Sequence, residues 1–405
     1  MNLPYFISKR ISKNEHGSFS TTINRIAVVS IAVALSSLIV AFMVLGGFEK
    51  AIKDKIFTFG GHLDVTKYSL STSFEETVIN VTDSLVDGIK EFEEVDRIVP
   101  YAYKAGLLKT TEEVQGVIVK GLGASFDSIG FSENIIEGHF PIFKDKGYSS
   151  EVLVSKKIAN YLQLSVNDEV VLFFVQNPPR ARKVVVSGIY ETGLEDFDEK
   201  IILADIKLLA RINNWKDGQA GGLEVYLKND SDMDRMEDEL FDYLDYDLYI
   251  DKASDKYPQT FDWLRMLDRN VIIFFTLILV VACVNMISIL LILIMERTQM
   301  IGVLKALGAE NSFVRRIFLW NGIQLILKGL FWGNLVGLGT CLIQAQLELI
   351  PLDPANYYMH TVPILFNYSA IFMLNIMSIA VVGLTLLIPV AIISRITPVK
   401  AIRFD

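Results

Sequence analysis

The sequence predicts a membrane α-helical protein with four transmembrane helices and a large α+β domain inserted between the first two. Hydrophobic residues make up 51% of the 405 residues and the mean hydropathy is +0.38, more apolar than ordinary soluble proteins. Four windows of the sequence are long and apolar enough to cross a bilayer. Residues 48–267 carry 25 Lys+Arg against 40 Asp+Glu, whereas the remainder carries 13 against 7. An acidic, water-soluble block therefore interrupts an apolar and slightly basic chain.

Each membrane helix is predicted from a run of about 20 mostly apolar residues. Lys328 interrupts the third run, and Pro389 lies near the end of the fourth. The first run is longer than the ~7–15 residues of a signal-peptide core and no A-x-A site follows it, so we interpret it as an uncleaved anchor. The predicted segments are 1–25, helix 26–46, external domain 47–268, helix 269–295, connecting region 296–316, helix 317–345, loop 346–369, helix 370–393 and tail 394–405.

The basic residues predict the orientation, because cytoplasmic loops are enriched in lysine and arginine. Loop residues 346–367 have none. Eleven of the 13 basic residues outside the large domain fall on one side: Lys9, Arg10, Lys13, Arg25, Arg297, Lys305, Arg315, Arg316, Arg395, Lys400 and Arg403. Both termini and the 296–316 region are therefore expected in the cytoplasm, and the large domain outside. The only cysteines, Cys283 and Cys341, fall in predicted membrane helices, which leaves the exported domain without a thiol to oxidise.

The external domain is predicted to mix strands and helices. Strand-like stretches occur at residues 62–67, 117–120, 170–175 and 183–189, and the Pro178-Pro179 pair marks a turn between the last two. Helical patterns occur at residues 77–92 and 233–243. We expect two lobes, with the second, residues 102–204, inserted into the first, residues 47–101 and 205–268.

The connecting region 296–316 is predicted to hold a short amphipathic helix. Met300, Leu304 and Leu307 fall on one face at helical spacing, joined by Ile301. Gly308 suits a left-handed C-cap, and Asn311 can cap the next helix. Such a helix could lie on lipid, or it could dock on a cytoplasmic partner and transmit motion.

In the third membrane helix, Gly329, Gly333 and Gly337 form two overlapping G-x-x-x-G patterns. These patterns favour close helix packing, either within one chain or across a dimer.

Composition and motifs argue against an enzyme. The acidic balance excludes a basic nucleic-acid binder as the default, so no nucleic-acid partner is expected. The sequence holds no P-loop for ATP, no H-E-x-x-H and no G-x-S-x-G. The four histidines, at 16, 62, 139 and 360, lack metal-ligand spacing. His62 follows Gly60-Gly61, and we interpret it as shaping a strand rather than binding a ligand. We therefore expect no catalytic residue, cofactor or metal.

Motifs along the whole chain resemble the FtsX-like permeases of ABC transporters and, within them, the lipoprotein-releasing permeases of Lol type C/E. Residues 296–309 resemble the family's coupling motif E-R-T-x-x-I-G-x-x-x-A-L-G-A, which is specific to the superfamily. The lipoprotein branch is indicated by Gly47-Phe48-Glu49 with Gly61-His62, and by Tyr357-Tyr358 with Val362-Pro363. Residues Pro398 to Arg403 resemble the stretch that closes the family's sequences.

This resemblance implies the partners of the protein and its location in the cell. It implies a separate ABC ATPase dimer that binds the ATP, a second permease protomer, acylated lipoproteins as cargo and a periplasmic lipoprotein carrier. It implies the inner membrane, with the large domain in the periplasm. There, residues 47–101 and 205–268 would form a porter lobe that flanks the inserted lobe 102–204, which would be β-rich. It also implies that residues of the coupling motif contact the ATPase: Glu296, Arg297, Met300, Ile301, Leu304, Lys305, Leu307 and Gly308.

Lipid extraction needs an apolar lining that a gap between helices can open, and methionine adapts to varied acyl chains. We hypothesise that the first two membrane helices supply it. The candidate lining residues are Val40, Met43, Val44, Phe48, Met266, Ile273 and Leu277. The alternative is that these are ordinary core or lipid-facing residues.

A short hairpin at residues 176–182 places basic residues on an acidic domain. It is either a solvated loop or a docking finger for an acidic partner, with Gln176, Arg180 and Arg182 as the candidate carrier contacts. In the type C permeases that the chain resembles, the carrier grips a long hook, and the matching hairpin here is short. A single permease would then serve as both halves, or a second would carry the hook.

Two rival functions stay open at this point. One is a mechanotransmission permease that drives an efflux or cell-wall partner without extracting lipid. The other is a membrane scaffold, against which the coupling motif argues.

Overall fold

The computed structural model describes residues 6, 19–68, 77–110, 113–144, 147–353, 357, 359 and 361–392, with only the backbone given for 19–21 and 392. Several residues used above lie outside this range: Lys9, Arg10, Lys13, His16, Tyr358, His360, Arg395 and the 398–403 stretch. The chain divides into a helical unit and an α+β unit. The helical unit holds residues 1–50, 263–351 and 361–405, and the α+β unit holds 51–262 and 352–360.

The helices of the described residues, in chain order, are α1 (Phe19–Gly60), α2 (Asp83–Lys90), α3 (Ser128–Phe131), α4 (Lys156–Leu162), α5 (Glu195–Asp198), α6 (Ile206–Asn213), α7 (Met233–Tyr243), α8 (Ala253–Lys256), α9 (Pro258–Glu296), α10 (Thr298–Ala306), α11 (Asn311–Leu347), α12 (Tyr368–Thr385) and α13 (Leu387–Ile392). The strands are β1 (Leu63–Lys67), β2 (Ile79–Asn80), β3 (Val95–Lys109), β4 (Val114–Leu122), β5 (Ile135–Gly138), β6 (Glu151–Ser155), β7 (Glu169–Phe174), β8 (Arg180–Tyr190), β9 (Ile201–Asp205), β10 (Gln219–Ala220), β11 (Gly222–Leu227) and β12 (Leu248–Lys252).

Four stretches of the described chain are long and apolar enough to span a membrane: Thr22–Gly60, Pro258–Glu296, Asn311–Leu347 and Tyr368–Ala391. This confirms the predicted count and fold class. The first two helices extend beyond the predicted windows, since α1 has 42 residues and α9 has 39. At 1.5 Å per residue each is about 60 Å long, roughly twice the hydrocarbon thickness of a bilayer.

Helix α1 continues beyond the predicted membrane window, through Gly46 and Gly47 to Gly60. Gly47 is needed for a close contact inside an intact helix: a Cβ there would lie 2.4 Å from the carbonyl oxygen of Pro363. The fourth span does break, between Thr385 and Leu387. Pro389 has no N–H for the carbonyl of Thr385 four residues earlier, which accounts for the break.

The three glycines of α11 pack against α1 of the same chain. A Cβ at Gly329 would lie 2.6 Å from Ile31 Cβ, one at Gly333 would lie 2.9 Å from Leu35 Cβ, and one at Gly337 would lie 3.1 Å from Ile39 Cβ. The G-x-x-x-G stripe is therefore an internal helix–helix contact. Lys328 in the same helix is exposed rather than inside this bundle.

A second contact in the helical unit uses a pair of side-chain amides. Asn334 Nδ2 donates to Asn375 Oδ1 at 2.7 Å, and Asn375 Nδ2 donates back to Asn334 Oδ1 at 3.0 Å. The two residues lie in α11 and α12. Reciprocal bonds of this kind satisfy polar groups that lipid cannot.

The α+β unit is built on one sheet with the strand order β12-β1-β11-β3-β4-β9-β6-β8-β5, and β7 pairs with both β3 and β8. The pairs β4–β9 and β6–β8 are parallel. Two apolar cores cover it: one uses residues from 63–98 and 220–250, the other residues from 102–212. Strand β3 runs through both, so the predicted lobes share one sheet, and their separate roles stay a prediction.

The predicted strands are all present, and the helix at 233–243 matches α7. The helix predicted at 77–92 is wrong in its first part. Residues 79–80 form β2, and Thr82 caps α2 by accepting from Leu85 N at 3.2 Å. The cause is the run of β-branched residues in 77–82, which favours extended backbone.

Candidate functional site

The predicted coupling motif forms a short helix between two membrane spans. Glu296 is the last residue of α9, Arg297 precedes α10, and α10 ends at Ala306. Gly308 adopts a left-handed φ of +93°. Its N–H donates to Lys305 O at 3.0 Å, and Ala309 N donates to Leu304 O at 3.0 Å. This is a Schellman C-cap, which confirms the predicted role of Gly308.

Two local predictions for this motif are wrong. Leu307 does not share the face of Ile301: Ile301 is fully buried, whereas Leu307 is 80% exposed. Leu307 is the C-cap of α10, so helical periodicity no longer applies to it. Asn311 does not cap α11, because Glu310 is the N-cap and Asn311 is the first helical residue.

The motif therefore has a fixed side and an open side. Ile301 lies in the core of the helical unit, and Met300 packs against that core. Leu304 and Lys305 are half-buried, and Val303 and Leu307 are exposed. Exposed apolar side chains on a short capped helix can be covered by lipid or by a partner, while the buried side packs in the core of the helical unit.

Two further motif stretches meet within the helical unit. Leu365 N donates to Met43 O at 3.0 Å, and Gly47 contacts the Pro363 carbonyl. The residues before the fourth span thus pack on α1 beside Phe48, which is half-buried. The sequence motifs G-F-E and V-P, distant in the chain, form one contact.

The proposed cargo-lining residues lie in two kinds of surroundings. Met43 is 2% exposed and lies in the helical core, and Val40 packs against it. Val44 and Phe48 are half-buried. In α9, Met266, Ile273 and Leu277 are each more than half exposed. The structure does not gather all seven into one core, and a shared cavity stays a prediction.

The hairpin at 176–182 joins β7 to β8 as expected. Arg180 is anchored rather than free: its Nη1 donates to Ile212 O at 2.6 Å and Arg211 O at 2.9 Å, and its Nη2 to Asn214 Oδ1 at 2.9 Å. Gln176 Nε2 also donates to Ile212 O, at 3.4 Å. These carbonyls end α6, so both side chains cap that helix. Half-buried Arg182 donates to the neighbouring Ala181 O at 2.8 Å.

His62 has a structural role, as interpreted from the sequence. Its ring stacks on Phe57 with centroids 4.0 Å apart, and its Nδ1 accepts from Leu227 N at 3.1 Å. Burial lowers the pKa of His62 to about 4, so the ring is neutral. In the described part of the chain, no group of three or more His, Cys, Asp or Glu residues is placed to hold a metal ion.

A buried ion pair in the α+β unit was not predicted from the sequence. Lys120 in β4 and Glu224 in β11 are both fully buried, and Lys120 Nζ donates to Glu224 Oε1 at 2.6 Å. Burial lowers the pKa of Lys120 and raises the pKa of Glu224, and the opposite charge of each partner counteracts both shifts. The signal was a charged residue inside the apolar stretches VIVKG and GLEVYL.

Two family descriptions match the chain. MacB-like periplasmic core domain matches residues 26–243, and FtsX-like permease C-terminal matches residues 272–398. The coupling motif falls in the second match.

The chain is similar to curated proteins along most of its length. The lipoprotein-releasing system transmembrane protein LolE of Haemophilus influenzae is 23% identical, over 84% of this chain and 82% of that protein. LolC of Xylella fastidiosa is 22% identical, over 100% of this chain and 98% of that protein. Among solved structures, the periplasmic region of MacB from Actinobacillus actinomycetemcomitans aligns with a TM-score of 0.34 and 11% identity, over 50% of this chain and 92% of that one.

Proposed function

The chain belongs to the FtsX-like permeases that carry a MacB-like periplasmic core domain, and from that premise we propose that it is the permease subunit of an ABC transporter that releases acylated lipoproteins from a membrane. The observation that carries the proposal is the extent of the similarity, which covers the whole chain for a relative named for lipoprotein release. The energy would come from ATP hydrolysis by a separate subunit.

In this proposal the inner membrane holds the four spans, with both termini in the cytoplasm and the α+β unit in the periplasm. The motif at 296–308 contacts an ATPase dimer through its exposed side, which includes Val303 and Leu307. A second permease protomer completes the transporter. Acylated lipoproteins leave the outer leaflet through a gap lined by α1 and α9, and a periplasmic carrier receives them.

The capped geometry of the motif supports the coupling role. Its buried side is anchored by Ile301 in the helical core, so a push on its open side reaches α9 and α11 directly. Hydrogen bonds at Gly308 fix where the motif ends and α11 begins. A helix lying loosely on lipid would not need this double anchoring.

Reconstitution tests the proposal. The full chain would be purified with its co-encoded ATPase, placed in proteoliposomes loaded with a triacylated lipoprotein, and supplied with ATP and a periplasmic carrier. The proposal predicts ATP-dependent, carrier-dependent release into the soluble phase. A complex with Leu307→Glu should lose both ATPase stimulation and release, whereas Ile350→Glu, another exposed apolar position of the helical unit, should keep ATPase stimulation. Release that does not depend on ATP would overturn the proposal.

A second candidate, a permease that moves an external partner without extracting lipid, is favoured by one observation. Helix α1 continues without a break from the first span into the α+β unit and ends at Gly60. Vigorous ATP hydrolysis with no lipoprotein released, by a complex containing both permease protomers, would favour this candidate.

A further inference from the structure

The last turn of α1 is held by side chains from the sheet. A helix leaves its final carbonyls without intrahelical partners. Here Phe57 O accepts from Gly61 N at 2.8 Å, and Phe59 O accepts from Lys120 Nζ. The Tyr226 hydroxyl lies 3.4 Å from Thr58 O. A buried ammonium at a helix C-terminus also suits the negative end of the helix dipole.

The same ammonium connects this helix end to a second strand. Lys120 donates to Glu224 in β11, and the Tyr226 hydroxyl donates to Glu224 Oε2 at 3.2 Å. The Phe59 ring faces the ammonium at 4.8 Å and stacks on Phe197 at 4.1 Å. Helix end, β4 and β11 are thus joined through one charged group.

The start of α9 is tied to the neighbouring strand in a matching way. Asp64 of β1 lies opposite Glu224 in the register. Its Oδ2 accepts at 2.5 Å from Lys256 Nζ, in the last residue of α8 and two residues before α9. Both ammonium groups face the rings of Tyr101 and Tyr103 in β3: Lys120 at 5.8 and 5.6 Å, and Lys256 at 5.4 Å from each.

Stability alone does not account for the buried pair. Replacing a buried ion pair by apolar residues of similar volume is often neutral or stabilising, because both charges lose their hydration. An apolar pair could fill the space, but it could not bond the Phe59 carbonyl. What the charges add is one fixed orientation of the α1 end on the sheet.

We propose that Lys120 and Glu224 are positioning residues for transport, through which a displacement of α1 is passed to the sheet and to the start of α9. This rests on the proposed function, in which ATP drives the helices. With the pair removed, the helices move on ATP hydrolysis but the sheet no longer follows.

The test compares two matched double variants of the full chain. Lys120→Met with Glu224→Leu removes the buried pair and leaves no unpaired charge. Lys157→Met with Glu195→Leu makes the same changes at an exposed pair, whose atoms are 3.1 Å apart. The first variant should keep most of its stability and its ATPase rate, yet release about tenfold less lipoprotein per ATP, within the range of coupling energies in proteins. The second should match the wild type.

A distance measurement separates this proposal from the proposed function. Spin labels at Lys50 on α1 and Lys90 on α2, both exposed, would be placed in a chain with Cys283 and Cys341 replaced by serine. Because the pair holds the end of α1 to the sheet, ATP should leave the label distance unchanged in the wild type and should change it in Lys120→Met with Glu224→Leu. If the double variant shows this ATP-dependent change but the wild type releases no lipoprotein, only the proposed function fails. A label distance that ATP leaves unchanged in the double variant, together with unaltered release, would overturn the positioning role.

If that double variant does not fold, Tyr226→Phe takes its place. This change removes only the hydroxyl that touches Thr58 O and Glu224. It should lower release per ATP about threefold at an unchanged melting temperature, a loss of about 0.6 kcal/mol in coupling. Wild-type release per ATP in a folded Tyr226→Phe protein would contradict the proposal.

Discussion

The helical unit and the α+β unit each fix their part of helix α1 in place, but they use opposite kinds of contact. In the helical unit α1 meets α11 through glycines, with backbone and Cβ atoms in direct contact. In the α+β unit its end is held by a buried lysine, a glutamate and a tyrosine hydroxyl. Lipid offers no hydrophobic force between helices, so close fit must supply the contact there. In the water-soluble α+β unit the hydrophobic effect already drives packing, so the buried charges instead fix the orientation of the end of α1.

The largest effect is expected from breaking the charged contact on one side only. Lys120→Met leaves Glu224 buried without its cation, and removing one partner of a buried pair costs about 3–5 kcal/mol. The free energy of unfolding would be measured for the full chain in detergent by chemical denaturation with circular dichroism. Lys120→Met with Glu224→Leu should recover most of the loss. An equal loss in the single and double variants would show that the charge itself is not what matters.

The glycine contact should be nearly as sensitive. Gly333→Leu forces new atoms against Leu35 and the Ala32 carbonyl, which a Cβ would already approach to 2.9 and 3.0 Å. Overpacking of this kind costs about 3 kcal/mol. Gly339→Leu is the control, because a Cβ there meets nothing within 4 Å. Thermal unfolding in detergent reads the difference, and equal stability of the two variants would refute the packing account.

The α+β unit should also respond to mild acid, which sharpens the contrast with the helical unit. Burial lowers the pKa of His62 from 6.5 to about 4. As the pH falls, this side chain is therefore protonated in the unfolded chain before it is protonated in the folded protein. Stability is complete above pH 6.5 and falls as the pH drops towards 4. This difference in proton binding between the unfolded and folded states predicts that the free energy of unfolding falls by about 2 kcal/mol between pH 7 and pH 5. His62→Asn, which keeps an acceptor for Leu227 N, should remove this loss, and exposed His139→Asn should not.

The smallest expected effect separates the two arginines of the hairpin. Arg180→Ala removes the donors that hold the hairpin to the end of α6 and should cost about 1 kcal/mol. Arg182→Ala should leave stability unchanged. If Arg182 contacts a carrier, its loss instead lowers carrier-dependent release. Equal stability losses in both variants would mean that Arg180 does not anchor the hairpin.

Sequence patterns predict the elements whose signal is long. Four spans, an inserted α+β domain and the Gly308 cap follow from hydropathy, charge and one glycine. Short sequence patterns fail where the surrounding structure decides the local conformation. Hydropathy does not show that α1 continues past residue 46 to Gly60, and Leu307 leaves the predicted face because the helix stops one residue earlier. Lys120 and Glu224 lie 104 residues apart, and only the sheet order makes them partners.

Lipoprotein release by this protein is tested most directly by following the acyl chains of the cargo. A lipoprotein with a photoreactive acyl chain would be bound to the reconstituted complex, and cross-linked peptides would be mapped before and after ATP addition. We expect cross-links to α1 and α9 that disappear on ATP hydrolysis as lipoprotein enters the soluble phase. ATP hydrolysis with no cross-link to these helices above the level of a non-acylated control would contradict it.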